Sequence, residues 1–176
     1  HLDWSNEFDV KVGDFTRLLI LLEGETHTPG IGDGKDGTPQ SIYAGGATTA
    51  TIYACDVWWN PTPNNVTVTF TSVTGYIEAP SSLALEDGYG RCLVRFRTAY
   101  DSGTRSDEPQ TMTATSSGIS GTSSPITVRP GTYQKMVLVA PGERLDPGTL
   151  DADGKSGSPA TQVAGTSFTL TVAVTD

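Results

Sequence analysis

The stretch FTRLLILLEGETHTPGIGDGKDGTPQSIYAGGATTATIYACD, residues 15–56, decides the fold because the chain writes it twice. It returns at residues 133–176 as YQKMVLVAPGERLDPGTLDADGKSGSPATQVAGTSFTLTVAVTD. Phe15 falls on Tyr133, Arg17 on Lys135, Gly24-Glu25 on Gly142-Glu143 and Pro29-Gly30 on Pro147-Gly148. Two extra residues, taken as Asp151 and Ala152, lengthen the second loop. Beyond them Gly34-Lys35 meets Gly154-Lys155, Pro39 meets Pro159, Ala44-Gly45 meets Ala164-Gly165, and Asp56 lands on Asp176. Matched glycines and prolines at a fixed period mark a repeat architecture. The sequence is read as ending within its second repeat.

Working outward, 20 glycines and 11 prolines punctuate the 176 residues, and only 36% are hydrophobic. No window carries a helical apolar period with caps, so short strands joined by turns are expected throughout. A net charge of −9 argues against a nucleic-acid partner, whose phosphates need clustered Lys and Arg. The same acidity suits a soluble surface. Leu18 to Leu22 is a buried strand, too short to span a membrane. No signal peptide is present, and an opening on His1 reads as processed or excised. Two cysteines in a Thr/Ser-rich β chain point to an oxidising compartment.

Residues 7–12, EFDVKV, alternate with Phe8, Val10 and Val12 on one face. Their counterpart is Pro125 to Arg129, just before the second copy, so 1–13 reads as the closing strand of a preceding unit. A complete unit over 14–131 and a partial one over 132–176 follow. Strands are expected at Arg17–Leu22, Thr48–Cys55, 66–73, within Tyr76–Glu86 on either side of Pro80, Gly90–Ala99, Gln110–Thr115 and Pro125–Arg129. Glu23–Gln40 reads as a turn-rich loop, and 116–124 as a hairpin loop. Seven or so short, evenly spaced strands describe an all-β, immunoglobulin-like Greek-key sandwich with a partial second repeat. Leu18 to Leu21, Ile52, Val68, Phe70, Val94 and Phe96 are its expected core. Both parities of LLILL cannot face that core, so a neighbouring unit or subunit is expected over the other half.

A Leu-rich strand, Gly-Glu, a PG…GKxGxP loop, an Ala-Gly-led strand and Asp-x-x-Trp-Asn together resemble bacterial Ig-like repeats. Lys35, Gly37, Pro39, Asp56, Trp59 and Asn60 carry the likeness, which covers nearly the whole chain. The resemblance implies tandem arrays in secreted or surface-attached proteins, acting as spacers, stalks, adhesive or filament units. Fold likeness by itself carries no activity.

Candidate chemistry is sparse. His1, with His27, has the makings of an N-terminal copper site of the kind found in polysaccharide monooxygenases; a solvated loop histidine is the plainer reading of His27. Asp33, Asp36, Asp146, Asp151 and Asp153 offer oxygens to calcium, which needs six or more converging ligands, against the plainer reading of turn aspartates. Trp58 and Trp59 could form a sugar-stacking platform, with at least one of them packed at the end of the sandwich. Cys55 and Cys92 are expected to bond, strand end against strand start, although parity puts them on different faces. Asn65-Val66-Thr67 matches a glycosylation acceptor. No nucleophile elbow, phosphate loop or CxxC pair appears.

The expectation is therefore a non-enzymatic extracellular or cell-surface structural protein without a cofactor. It would polymerise with copies of itself by donor-strand exchange between residues 8–12 and the partial repeat. A glycan-binding adhesion module using Trp58, Trp59 and neighbouring tyrosines is the alternative, and a His1 copper enzyme ranks behind it.

Overall fold

The computed structural model describes residues 9–72, 76–99, 110–149 and 153–176. Among them all regular structure is β, without a helix. In chain order the first unit carries β1 (Arg17–Leu22), β2 (Glu25–His27), β3 (Lys35–Gly37), β4 (Ile42–Tyr43), β5 (Ala47–Cys55) and β6 (Thr67–Ser72). It continues with β7 (Ile77–Glu78), β8 (Leu83–Ala84), β9 (Tyr89–Phe96), β10 (Met112–Ser116), β11 (Ile119–Thr122) and β12 (Val128–Arg129). One four-stranded sheet runs β1-β5-β9-β7 and a second runs β11-β10-β6-β8.

A single apolar core lies between these sheets. It takes alternate residues: Leu18, Ile20 and Leu22 from β1, Ala50, Ile52 and Ala54 from β5, Val94 and Phe96 from β9. Val68, Met112 and Ala114 answer from the second sheet. This is the period of two that a half-buried strand requires. Phe70, expected in the core, is half-buried and packs against it. On one side the two sheets meet. A Cβ on Gly121 would lie 1.9 Å from the Leu18 carbonyl oxygen, so only glycine lets β11 approach β1 so closely.

Residues 116–124 hold more than a loop. Ile119–Thr122 is a full strand on β10, joined to it by Ser117 (φ 49°) and Gly118 (φ 84°). Two positive φ values in a two-residue connection give the primed turn that matches strand twist. Residues 9–16, by contrast, form no strand, and Val10 and Val12 are exposed.

Glu23–Gln40 likewise contains a hairpin, β2 with β3. It explains the second parity of LLILL. Leu19 and Leu21, 2% and 6% exposed, cluster with Cys55 beneath Tyr53 and Trp59. Lys35 of the hairpin reaches the Ile20 carbonyl from the same side. The cover expected from a neighbouring unit comes from within the chain, from Tyr53 of β5 and Trp59 of the turn after it, with Lys35 of the hairpin alongside.

The second repeat reproduces the two strand pairings of the first. β13 (Lys135–Val139) pairs with β16 (Thr171–Thr175), and β14 (Glu143–Leu145) with β15 (Lys155–Gly157). Lys135↔Thr175 is the register of Arg17↔Cys55, and Glu143↔Gly157 that of Glu25↔Gly37. Positive φ recurs at Gly24/Gly142, Gly30/Gly148, Gly34/Gly154, Gly37/Gly157 and Gly45/Gly165.

Candidate functional site

The motif residues of the repeat build a scaffold. Asp56 is 2% exposed and organises the turn after β5. Its Oδ1 accepts the amides of Trp58 (2.8 Å) and Asn60 (2.9 Å), and the Asn60 side chain donates to both oxygens. Oδ2 also accepts the Gly13 amide at 3.0 Å. The Asn60 side chain first, then the Gly13 amide, hold the Asp56 carboxyl down at a pKa of about 2. Asp176 accepts the Gly131 amide at 2.7 Å in the same way. Each copy thus clamps the glycine that leads into it.

A second conserved geometry ties the hairpin to its sheet. Glu25 Oε2 accepts the Leu22 amide at 2.8 Å, and Glu143 Oε2 accepts Ala140 at 2.9 Å. Lys35 and Lys155 reach the carbonyls of Ile20 and Leu138 while facing those glutamates. The Ala140 amide, then Lys155, lower the Glu143 pKa.

The two copies differ in what faces the inner side of the β1–β5 pair. Met136 and Leu138 stand where Leu18 and Ile20 stand. Phe168, Leu170, Val172 and Val174 stand where Thr48, Ala50, Ile52 and Ala54 stand. In the first copy these six positions are 0–2% exposed; in the second they are 46–73% exposed. Val137 and Val139, the equivalents of Leu19 and Leu21, are buried at 7% and 8%. The second copy has its hairpin side covered and its core side open. A contiguous apolar face of this kind marks an interaction surface. Phe168, Leu170, Val172 and Val174 alternate in FTLTVAV, which sets them on one face of the strand.

The second copy also abuts the first unit. The Tyr76 hydroxyl donates to Asp146 at 3.2 Å, and Thr98 to the Pro147 carbonyl at 3.3 Å. Gly148 (φ 87°) packs so closely that a Cβ would lie 2.3 Å from Thr98 Oγ1.

The other site candidates fall as follows. Cys55 and Cys92 are free thiols, which corrects the expected disulfide. Cys92 pairs with Ala50, five positions along β5 from Cys55. At about 3.4 Å per residue that offset is far beyond the roughly 7 Å a bridge tolerates. Cys55 also packs with Leu19 and Leu21, whereas Cys92 packs on the opposite face against the core. Burial pushes the Cys55 thiol up to about 12 and raises that of Cys92.

Trp59, at φ 66°, packs on Gly34, donates its indole N–H to the Gly32 carbonyl (3.1 Å) and carries Arg17 4.6 Å over its ring. Trp58 is 67% exposed. His27 Nε2 sits 2.8 Å from the Trp59 carbonyl, and its ring stacks on Tyr53 at 4.6 Å. His1 and Asp151 lie outside the described residues. Asp153 is exposed, Asp146 is engaged with Tyr76, and no three metal-ligating groups converge among the described residues. Asn65 is exposed and accepts the Asp87 amide at 2.7 Å. No helix among the described residues is long and apolar enough to cross a membrane.

Which tyrosines come together escaped the sequence reading. Tyr89 lies 5.2 Å from Tyr53, its ring tilted by 56°, and extends the aromatic row from His27 beside Arg91, along an open groove of about 420 Å³. The second copy has Ala173 and Leu145 in place of Tyr53 and His27. No family model matches this chain, and no curated protein or solved structure matches it significantly.

Proposed function

We propose that this chain is a non-enzymatic structural protein, a subunit of an extracellular or cell-surface filament or repeat array whose units join through β-strand contacts. The observation that carries this reading is the second copy's open core face. Six inward positions that are buried in one copy, five of them in its apolar core, carry exposed apolar side chains in the other, where the paired strands keep the same register. An array in which each unit meets the next supplies their cover. The sandwich-like unit and the motif's resemblance to bacterial Ig-like repeats support the immunoglobulin-like assignment and the surface location. The structural duties of Asp56, Trp59, Asn60 and Lys35 agree with a role in scaffolding.

Sedimentation of the chain across a dilution series, against Leu138→Asp and Val172→Asp, tests the reading. The parent should associate, and the variants should remain monomeric with the first unit's fluorescence unchanged. Equal association in the variants, or a parent that is monomeric throughout, contradicts it.

A second reading, glycan adhesion, draws on the His27–Tyr53–Tyr89 row rather than on paired tryptophans. The row belongs to the first copy alone, so the repeat scaffold does not require it. Retention on immobilised polysaccharide that Tyr89→Ala abolishes, while Trp58→Ala leaves it intact, would favour that reading over pure scaffolding.

A further inference from the structure

We propose that residues 9–12 of one copy add as a parallel strand beside Gln162–Val163 of a second copy, supplying part of the cover for its open core face. The proposal rests on the array reading above and names the donor segment, the acceptor and the register.

The equivalence is anchored by hydrogen bonds. Gly13 and Gly131 donate to Asp56 and Asp176, the same position in the two copies. Counting back from these glycines, Val10 stands where Val128 stands and Lys11 where Arg129 stands. In the complete unit β12 lies parallel to β4, with Val128↔Ile42 and Arg129↔Tyr43. Ile42 donates to the Thr127 carbonyl (3.1 Å) and Ala44 to the Arg129 carbonyl (2.8 Å). Val128 is 1% exposed in the core while Arg129 points to solvent.

Both halves of this contact recur separately in the chain. Gln162, Val163 and Ala164 occupy the places of Ile42, Tyr43 and Ala44, outside any strand, and Val163 is 72% exposed. Val10, the counterpart of buried Val128, is 84% exposed. Val10-Lys11 repeats the inward-apolar, outward-cation order of Val128-Arg129. An extended segment beside an open edge satisfies backbone groups by strand addition, and side-chain alternation sets the register. The expected bonds run from the Gln162 amide to the Asp9 carbonyl and from Ala164 to Lys11. Each chain carries one donor segment and a different acceptor segment, so the contact is head-to-tail and, repeated, builds an open row of chains.

The test is disulfide trapping between two full-length chains, one Lys11→Cys and the other Val163→Cys, mixed and gently oxidised. The pair corresponds to Arg129↔Tyr43, both exposed, so oxidant can reach it. A cross-linked heterodimer should form roughly tenfold more than with Thr161→Cys, because a two-residue slip exceeds what a bridge tolerates. Adding Val10→Asp to the donor chain should abolish the trap. Equal trapping at 161 and 163, or none, overturns the proposal. If trapping fails while Leu138→Asp still blocks association, another segment covers the face and the array reading stands. If the parent never associates, both fall.

Discussion

Replacing Lys35 by methionine would remove the cation from the most enclosed ion pair among the described residues of the first unit. The side chains of Lys35 and Glu25 are 10% and 1% exposed, with Nζ 3.6 Å from Oε1. Methionine keeps the packing of the stem but leaves a carboxylate that cannot reach water. Stranding one member of a buried pair costs about 3–5 kcal/mol. Glu25 keeps the Leu22 amide and the Ser124 hydroxyl, which places the loss near the lower end, at about 3 kcal/mol. That is a large share of the roughly 5–15 kcal/mol that holds a domain. The double variant Glu25→Gln/Lys35→Met strands no charge and should cost only about 1 kcal/mol, the net worth of a hydrogen bond. Urea unfolding followed by tryptophan fluorescence reads this directly, since Trp59 packs on Gly34 of the same loop. Lys155→Met should matter less, because Lys155 is 24% exposed and its pair is partly screened. A Lys35→Met loss within about 0.5 kcal/mol, the range of an ordinary surface change, would refute the reasoning, as would a double variant no better than the single.

Further outcomes follow from the same geometry. The folded Asp56 carboxyl titrates at about 2 against an ordinary 3.8. Its stabilising contribution is therefore complete above pH 4 and lost as pH falls through 2, and Asp56→Ala should flatten the acid limb of the stability profile in that window. Native protein should react with a thiol reagent slowly at Cys92 and negligibly at Cys55, whereas unfolding without reductant should release both thiols; a single labelled site would contradict the free pair. Gly121→Ala should cost about 3 kcal/mol, the upper part of the overpacking range, because its Cβ meets backbone at Leu18; an unchanged unfolding midpoint would show that β11 and β1 are not closed together.

The repeat was the most legible feature, because glycines with positive φ and clamp residues cannot drift without breaking a turn. Alternation likewise placed Leu18, Ile52, Val94 and Phe96 in the core. Strand β11 was hidden because Ser, Gly and Thr read as loop, and its place depends on Gly121 passing the Leu18 carbonyl. The hairpin beside Leu19 and Leu21 is tied to β1 by a charged pair, Glu25 with Lys35, that no apolar pattern could announce. The cysteines failed on register: strand order was insufficient without the Cys92↔Ala50 pairing. The Tyr53–Tyr89 row required knowing that β5 and β9 pair at those two residues.

The most direct measurement compares the two methionines. Met136 stands at the place of Leu18 and is 73% exposed, while Met112 is fully buried in the first core. Peroxide oxidation of each, followed by peptide mass across a dilution series, reports whether the open face is a docking face. The account predicts that Met112 is protected throughout, and that Met136 is oxidised readily when dilute and increasingly protected as concentration rises. Oxidation of Met136 at one unchanging rate, from dilute to concentrated protein, would contradict it.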